Sequence, residues 1–304
     1  MRNLLKMIRY RLEYVGFLVL KKMFLCFPEK CRFKLAEVMA NFAYMIIKKR
    51  RIIALTNLEM AFPNMPENER IKIAKKSYQI MAKGFLSSLW IKEYLDNPQN
   101  IKIINKEVCK TAYNKNKGVV CALMHTGNID ITCCAASGLP MVAVAKRQKN
   151  PYINSFIMEF REKTMGLTII LKNKYVIKKL IEFLKKGYML GLFCDHRDKG
   201  AIVNFFGTKT IAPTGAVSLA LKYDIPLLFL YNVLDDDNTC TINIQEEIEL
   251  VKTGNFKEDV QTNVQMLIDK MEKVISEHPE QWMWFHDRWN LYRKLYQNKK
   301  RKNK

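Results

Sequence analysis

The spacing of apolar residues along this chain changes near residue 100. Before that point, apolar residues recur every three or four positions, which predicts a series of helices. Two of them run from Phe33 to Arg50 and from Glu67 to Trp90, with a Pro-containing turn at 62–66 between them. After it, short apolar runs alternate with helical patterns, which is typical of an α/β domain.

Six apolar runs in the second part are predicted strands, and four helical patterns lie among or after them. The predicted strands are Val119–Met124, Met141–Ala145, Thr168–Leu171, Met189–Cys194, Pro226–Val233 and Thr239–Ile244. The predicted helices are Asn150–Thr164, Val176–Lys186, Pro213–Tyr223 and Phe256–Glu277. Asp235–Asn238 reads as a hairpin turn. We therefore expect a mixed, mostly parallel sheet flanked by helices, with crossover connections.

The first helix has one apolar side and one charged side. The apolar positions are Leu4, Leu5, Ile8, Leu12, Val15 and Val19, and the charged positions opposite are Arg2, Lys6, Arg9 and Glu13. A basic amphipathic helix of this kind is suited to the interface of an anionic membrane. The alternative is an ordinary surface helix that packs on the domain.

The N-terminal segment does not have the pattern of a cleaved signal peptide. Its longest apolar run, Tyr14–Leu20, is followed by two lysines rather than by a small-residue cleavage site. A spanning helix needs about 20 mostly apolar residues, so whether the segment lies flat or spans once stays open. We expect membrane-associating helices over residues 1–50, an α/β domain over 51–290 and a basic tail over 291–304.

The charge balance indicates polyanionic partners. The 51 basic residues minus the 29 acidic residues give a net charge of +22, which suits nucleic acid, an anionic bilayer, an acidic carrier protein or a phosphorylated substrate. The eight cysteines form no CxxC pair, so metal-ligand spacing is absent. Several lie in apolar runs, where a reduced thiol behaves as a small buried hydrophobe.

The candidate chemistry lies at the end of a predicted strand. His125 follows Val119–Met124, and Asp130 comes five residues later, after a turn that contains Gly127. Ligands of open α/β sheets bind at this edge. A neutral imidazole accepts a proton from a hydroxyl, and a carboxylate fixes its tautomer. Asn128 is placed to cap the next helix. The same spacing also fits a structural histidine at a helix start.

These residues also carry a family resemblance. His125-x4-Asp130, within HTGNID, resembles the H-x4-D/E motif of the glycerolipid acyltransferase superfamily, and the Gly-Asn pair narrows it to the lipid A late acyltransferases. Four further blocks resemble that family: Asn57-Leu58 with Phe62-Pro63, Asp195–Asp198, Asn204–Gly207 with Ala212–Gly215, and His278–His286 extending through Arg288-Trp289. The resemblance covers roughly 50–289. The family mostly has glutamate where Asp130 stands and glutamine where His196 stands.

The resemblance implies a function and a set of residue roles. His125, supported by Asp130, would deprotonate a hydroxyl on a 3-hydroxyacyl chain of a Kdo-lipid A precursor, which then attacks an acyl thioester. Arg147 would serve the oxyanion or a phosphate, with Arg161 as a weaker candidate, and Asp195 would orient Arg147 or a substrate hydroxyl. Asn128, Gly207 and Thr214 complete the candidate substrate site; Gly207 would permit close backbone approach, and Thr214 would cap a helix.

The implied partners are a lipid A precursor, an acyl carrier protein or coenzyme A as acyl donor, and the anionic cytoplasmic face of a bacterial inner membrane. No metal or redox cofactor is implied. Three alternative functions fit parts of the sequence. A nucleic-acid-binding protein lacks a visible module, and a cysteine hydrolase lacks a nucleophile elbow. A glycerophosphate or lysophospholipid acyltransferase shares the H-x4-D pair and stays open. His196 is the alternative base.

Overall fold

The structure, a computed structural model, describes residues 2–136 and 138–292, apart from the side chains of Arg2 and Asn3. The charged position predicted at Arg2 and the basic tail from residue 293 onward therefore lie outside the described residues. The helices are α1 (Arg2–Leu25), α2 (Glu29–Ile46), α3 (Lys48–Ala61), α4 (Glu67–Ser87), α5 (Ile91–Asp96), α6 (Lys106–Tyr113), α7 (Pro151–Met165), α8 (Val176–Lys185), α9 (Gly215–Tyr223) and α10 (Phe256–Glu277).

A seven-stranded sheet forms the centre, in the order β1-β9-β8-β2-β5-β3-β4, and β6 and β7 form a separate hairpin. The strands are β1 (Ile101–Ile104), β2 (Val119–Leu123), β3 (Met141–Ala145), β4 (Leu167–Leu171), β5 (Met189–Phe193), β6 (Gly200–Phe205), β7 (Thr208–Pro213), β8 (Leu227–Leu234) and β9 (Cys240–Ile244). Neighbours in the large sheet are parallel except β8 and β9, which pair antiparallel. The predicted mixed, mostly parallel fold is confirmed.

The sheet separates two apolar cores, and β2 contributes to each of them. Val120 and Ala122 belong to the core shared with α8, α9 and α10, whereas Val119, Cys121 and Leu123 belong to the core shared with α5 and α6. A strand buried on both faces reads as a continuous apolar run, as the central strands of parallel sheets do. β2 is therefore anchored from two sides, and the residues that follow it start from a rigid position.

Most predicted elements are confirmed to within one or two residues, but one predicted helix is wrong. The helix expected over 33–50 is two helices, because the backbone leaves helical geometry at Ile47 (ψ 66°) and the basic run 48–51 begins α3. Pro213 belongs to β7, and the next helix begins at Gly215. β1 and the β6–β7 hairpin were not predicted. The boundary expected after residue 50 falls inside α3.

α1 packs on α7 through its aromatic side. Tyr14 stacks on Tyr152 with ring centroids 5.9 Å apart, and Phe17 meets Phe156 edge-on at 5.1 Å. The six apolar positions predicted from the sequence point away from this contact and are exposed, with Leu12 at 67%. Within residues 2–136 and 138–292, no helix is long and apolar enough to cross a bilayer.

Candidate active site

His125 and Asp195 meet because their strands are neighbours in register. Leu123 at the end of β2 pairs with Phe193 at the end of β5, and each functional residue stands two positions further along its chain. The Nδ1 atom of His125 lies 2.8 Å from Oδ1 of Asp195. The backbone N–H of His125 donates to Oδ2 of the same carboxylate, also at 2.8 Å. The carboxylate therefore holds the imidazole and its backbone together.

The Asp195 carboxylate is buried and has a third donor. The indole N–H of Trp282 donates to Oδ2 at 2.8 Å, and only 2% of the residue is exposed. Burial by itself raises the pKa of Asp195, but the His125 ring, the His125 amide and the indole together hold it well below its usual range. Because an ionised carboxylate only accepts hydrogen bonds, the proton of a neutral His125 lies on Nδ1. Its Nε2 then carries the free lone pair.

The C-terminal block reaches this site through backbone contacts. Thr126 forms an antiparallel bridge with Trp282, and the N–H of Gly127 donates to the carbonyl of Gln281 at 3.2 Å. The side chain of Gln281 accepts from the N–H of Leu234 and donates to its carbonyl, at the end of β8. The block 278–286, which resembles the family signature, is thus hydrogen-bonded across the ends of β2 and β8.

Asn57, in the N-terminal block, binds the second half of the same segment. Its amide donates to the carbonyls of Trp284 at 2.8 Å and His286 at 2.7 Å, and it is fully buried. Phe62 packs edge-on against Trp284, with centroids 5.8 Å apart. Sequence blocks more than 200 residues apart therefore meet beside Asp195.

The loop after His125 is held from the opposite side by Asn232 of β8. Its Oδ1 accepts from the N–H of Asn128 at 2.7 Å, and its amide donates to the carbonyl of Asn128 at 3.1 Å and to the Thr132 hydroxyl. Gly127 has a φ of +52°, and a Cβ there would collide with Asn232. Asn232 was not predicted as a site residue, because an asparagine in an apolar strand has no local pattern that predicts its partner.

Asp130 contacts a different partner. Its Oδ1 lies 2.7 Å from Nη2 of Arg161, and no hydrogen bond joins it to His125 in the described part of the chain. It stands in a turn before a 3-10 helix at Ile131–Ala136, rather than in the helix that Asn128 was expected to cap. The structure thus brings together His125 with Asp195, and Asp130 with Arg161.

A cavity of about 590 Å³ opens beside the His125 ring. Apolar side chains form most of its wall: Val144, Val176, Ile177, Leu180, Leu192, Phe193, Ala216 and Leu219. Lys146, Lys172 and Lys199 also line it. A volume of this size lies within the range of roughly 300–1,000 Å³ for small-molecule sites. An apolar tail with an anionic end matches such a wall.

The remaining predicted site residues lie in several places. Thr214 lines the cavity beside Gly215, but its side chain makes no capping hydrogen bond. The side chain of Asn128 donates to Ser87 instead of capping a helix. Arg147 lines a second cavity, of about 410 Å³, with Glu13 and Lys149. Asp195 bonds to His125 and Trp282 instead, so the first of its two predicted roles, orienting Arg147, is wrong.

Gly207 supplies a positive φ in the hairpin turn between β6 and β7. It adopts a φ of +69° in the turn between β6 and β7, and a Cβ there would meet nothing within 4 Å. No other atom of the described residues lies close to this position, so the turn by itself accounts for the glycine. The preceding residue, Phe206, also has a positive φ of 50°, which is the geometry of a tight hairpin turn.

Two further histidines lie near His125. The ring centroid of His196 is 6.3 Å from that of His125, and its buried Nδ1 has no partner among the described residues. Burial lowers the pKa of His196 and lowers that of His286 to about 4, so the two rings are neutral near pH 7. Nε2 of His286 accepts from the backbone N–H of Arg197 at 3.3 Å.

The cysteines near the site are poor nucleophiles. Burial raises the pKa of Cys194 and Cys133 to about 12 each, and that of Cys134 to about 11. A thiol attacks as its thiolate, and these thiols remain protonated near pH 7. Cys194 directly precedes Asp195 at the site, so its chemistry argues against the cysteine-hydrolase alternative.

Comparison with known proteins identifies the family. Residues 2–291 match the family model described as bacterial lipid A biosynthesis acyltransferase. A lipid A biosynthesis acyltransferase of Haemophilus influenzae is 23% identical over 78% of this chain and 74% of its own length. A lipid A biosynthesis lauroyltransferase of Escherichia coli is 23% identical over 92% of each chain.

A lipid A biosynthesis myristoyltransferase of Escherichia coli is 24% identical over 84% of this chain and 80% of its own length. Among solved structures, a 1-acyl-sn-glycerophosphate acyltransferase from Thermotoga maritima matches 82% of this chain and 99% of its own, with 14% identity and a TM-score of 0.39. That structural similarity is too low to bear on the acceptor.

Proposed function

Because this chain belongs to the bacterial lipid A biosynthesis acyltransferase family and is an acyltransferase, we propose that it moves a fatty acyl chain from an acyl thioester to a hydroxyl of the 3-hydroxyacyl chains of a Kdo-lipid A precursor. One observation carries the proposal: His125, which is hydrogen-bonded to Asp195, lies at the wall of a largely apolar cavity. That pair supplies a base, and the cavity supplies room for an acyl chain.

His125 acts as the general base in this proposal. Its Nε2 takes the proton of the acceptor hydroxyl as the oxygen attacks the thioester carbonyl. The tetrahedral intermediate then collapses: the C–S bond breaks, the new C–O ester bond remains, and the leaving thiolate takes the proton back from the imidazolium. The reaction balances with no further reactant.

Asp195, rather than Asp130, orients His125 in this proposal. A carboxylate on Nδ1 selects the tautomer with a free Nε2 and stabilises the imidazolium that forms during attack. Asp195 accepts three hydrogen bonds, two of them from His125. Asp130 is assigned a positioning role, since its contact with Arg161 ties the loop after His125 to α7.

The donor's acyl chain occupies the apolar cavity, and its anionic end meets the lysines. Lys146 and Lys199 are exposed at the cavity, where they attract the phosphate of a phosphopantetheine arm. Such an arm is common to acyl carrier protein and coenzyme A, and an acidic carrier protein adds attraction to a chain of charge +22. Binding of the donor should therefore weaken as ionic strength rises.

The acceptor is reached from a membrane surface. The apolar side of α1 is exposed, which is unfavourable in water and favourable in the interface of an anionic bilayer. We assign the protein to the cytoplasmic face of the bacterial inner membrane as a peripheral protein. Lipid A precursors carry phosphates, which suit the same basic surface.

The test is acyl transfer from a lauroyl carrier thioester to a tetra-acylated, Kdo-bearing lipid A precursor, with lysophosphatidic acid as a second acceptor. Wild type, His125→Ala, Asp195→Asn and Asp130→Asn are compared in parallel. We expect product on the lipid A precursor alone and a loss of about 10²–10⁴-fold for His125→Ala. Transfer to lysophosphatidic acid instead would overturn the acceptor, and full activity of His125→Ala would overturn the base.

A further inference from the structure

A second apolar cavity lies between α2 and α4 and meets the active site. This α2–α4 groove has a volume of about 510 Å³. Its lining is mostly apolar and includes Ala43, Arg50, Tyr78, Phe85, Met283 and His286. Met283 and His286 also line the cavity beside His125. The two cavities therefore share a wall next to the catalytic base.

The groove opens on an apolar surface of the protein. Phe42, Met45 and Ile46 of α2 are each about 60% exposed, and Phe85 of α4 is 50% exposed. Apolar residues that cluster on a surface mark a contact with another apolar phase or a ligand. An acyl chain can therefore enter the groove directly from a bilayer.

One end of the groove is cationic. Arg50 lines it and belongs to the run Lys48-Lys49-Arg50-Arg51, which forms the first turn of α3 without an acidic residue. The N-terminus of a helix is already the positive end of its dipole, so four cations there are unfavourable in isolation. An anionic group placed beside them removes that repulsion. The charge of this basic run is therefore complementary to that of a phosphate.

The groove also contains a polar group without a partner. Tyr78 is 7% exposed and lines the groove, and its buried hydroxyl makes no hydrogen bond within the described residues. Burial raises the pKa of Tyr78 to about 12, so the hydroxyl keeps its proton and can donate it. A buried donor without a partner is unfavourable, and an ester or amide carbonyl of a ligand would satisfy it.

We propose that the α2–α4 groove binds an acyl chain of the anionic lipid acceptor, with a carbonyl of that chain at Tyr78 and a phosphate at the basic run 48–51. This inference rests on the proposed function and extends it. The donor chain occupies the cavity beside His125, and the acceptor chain approaches from the other side of Met283 and His286. The acceptor hydroxyl then arrives where the two cavities meet.

The first test fills the groove. In Ala43→Trp the larger side chain occupies the space of the ligand, and Met45→Trp is the matched control because Met45 lies on the same helix outside the groove. We expect the KM for the lipid acceptor to rise at least about tenfold in Ala43→Trp, as expected from excluding two methylenes. The KM for the acyl thioester should match that of the control.

The second test does not depend on a bulky side chain being tolerated. Tyr78→Phe removes only the hydroxyl, which has no partner in the protein, so the melting temperature should be unchanged or higher. The KM for the acceptor should nevertheless rise about 2–10-fold, the equivalent of one hydrogen bond. If the Tyr78 hydroxyl made no contact with the acceptor, Tyr78→Phe would leave the acceptor KM unchanged.

The outcomes separate this inference from the proposed function. If the acceptor KM is the same in Ala43→Trp, Tyr78→Phe and the control, the acceptor chain does not bind in the groove. Transfer by the wild type would still support the proposed function. A changed KM or chain-length preference for the thioester in Ala43→Trp would instead place the donor in the groove and overturn the assignment. Failure of the wild type to acylate any lipid A precursor would overturn the proposed function itself.

Discussion

The ring of His125 and the carboxylate of Asp195 are joined by a 2.8 Å hydrogen bond at Nδ1, although 70 positions separate them in the chain. The register of two parallel strands produces this contact, because Leu123 pairs with Phe193 and both functional residues follow two positions later. The same β2 register pairs Leu123 with Leu230 of β8, which brings Asn232 to the other side of the loop. His125 is therefore held by the two strands that flank its own.

Asp195→Asn should reduce kcat by about 10³–10⁴-fold with little change in the KM of either substrate. The amide cannot stabilise an imidazolium, and its NH₂ group can oppose the Nδ1–H tautomer. Steady-state kinetics together with a thermal melt would test this. A loss confined to Asp130→Asn, with Asp195→Asn fully active, would show that Asp130 is the carboxylate that supports the base.

Trp282→Phe should lower kcat by about 10–100-fold, since a hydrogen bond to a charged group contributes roughly 1.5–3 kcal/mol. The phenyl ring keeps an aromatic contact with Phe205, but the Asp195 carboxylate loses its indole donor. The rate of a single turnover at saturating substrate measures the chemical step directly. Unchanged single-turnover rates in this variant would mean that the indole serves packing alone.

Gly84→Ala should be destabilising and should also reduce kcat. A Cβ at Gly84 in α4 would lie 2.7 Å from the carbonyl oxygen of Gly127 and 3.1 Å from Cα of Asn128, so the loop after His125 must shift. Gly16→Ala is the matched control, because nothing lies within 4 Å of its Cβ in α1. The free energy of unfolding of the control should rise by about 0.5–1 kcal/mol. Equal gains in both variants, measured by urea unfolding, would contradict the prediction.

His286 should make the fold less stable in mild acid. Burial lowers its pKa from the ordinary 6.5 to about 4, so between these values the unfolded chain binds a proton that the folded chain does not. Stability then rises with pH across this window; the contribution is complete above about pH 6.5 and is lost as pH falls through 4.

The unfolding free energy falls as the pH is lowered from 7.5 to 5, and in His286→Gln this fall should be about 1–2 kcal/mol smaller than in the wild type. Glutamine retains an acceptor for the N–H of Arg197. The lowered pKa of His196 acts in the same direction, so part of the acid sensitivity should remain. An identical pH dependence in the variant and the wild type, from urea unfolding at the two pH values, would show that His286 does not contribute.

Serine substitutions at Leu12, Val15 and Val19 should weaken binding to anionic vesicles by at least about tenfold. These side chains are exposed, so the melting temperature should stay within a few degrees of the wild type. The control combines Leu12→Met, Val15→Ile and Val19→Ile, which preserve the apolar side. Unchanged vesicle co-sedimentation of the serine variant would exclude α1 as a membrane contact.

Point substitutions test α1 better than removal of the N-terminal region. Phe24 is fully buried and stacks on Trp90 with centroids 5.7 Å apart, and Phe33 of α2 meets the same ring edge-on. Truncation at residue 50 would expose this cluster and disturb the fold. Loss of membrane binding after such a truncation would not report on the apolar side of α1 alone.

The amino-acid sequence by itself determined the local elements, the fold class and the position of His125, because apolar periodicity and a strand-end motif depend on neighbouring residues. Strand order decided the rest. Nothing local indicates that β5 lies next to β2, or that Trp282 and Asn57 converge on Asp195. Only the tertiary structure therefore places Asp195 on the imidazole and Asp130 on Arg161, since long-range pairing and burial select those contacts over the nearest carboxylate in sequence.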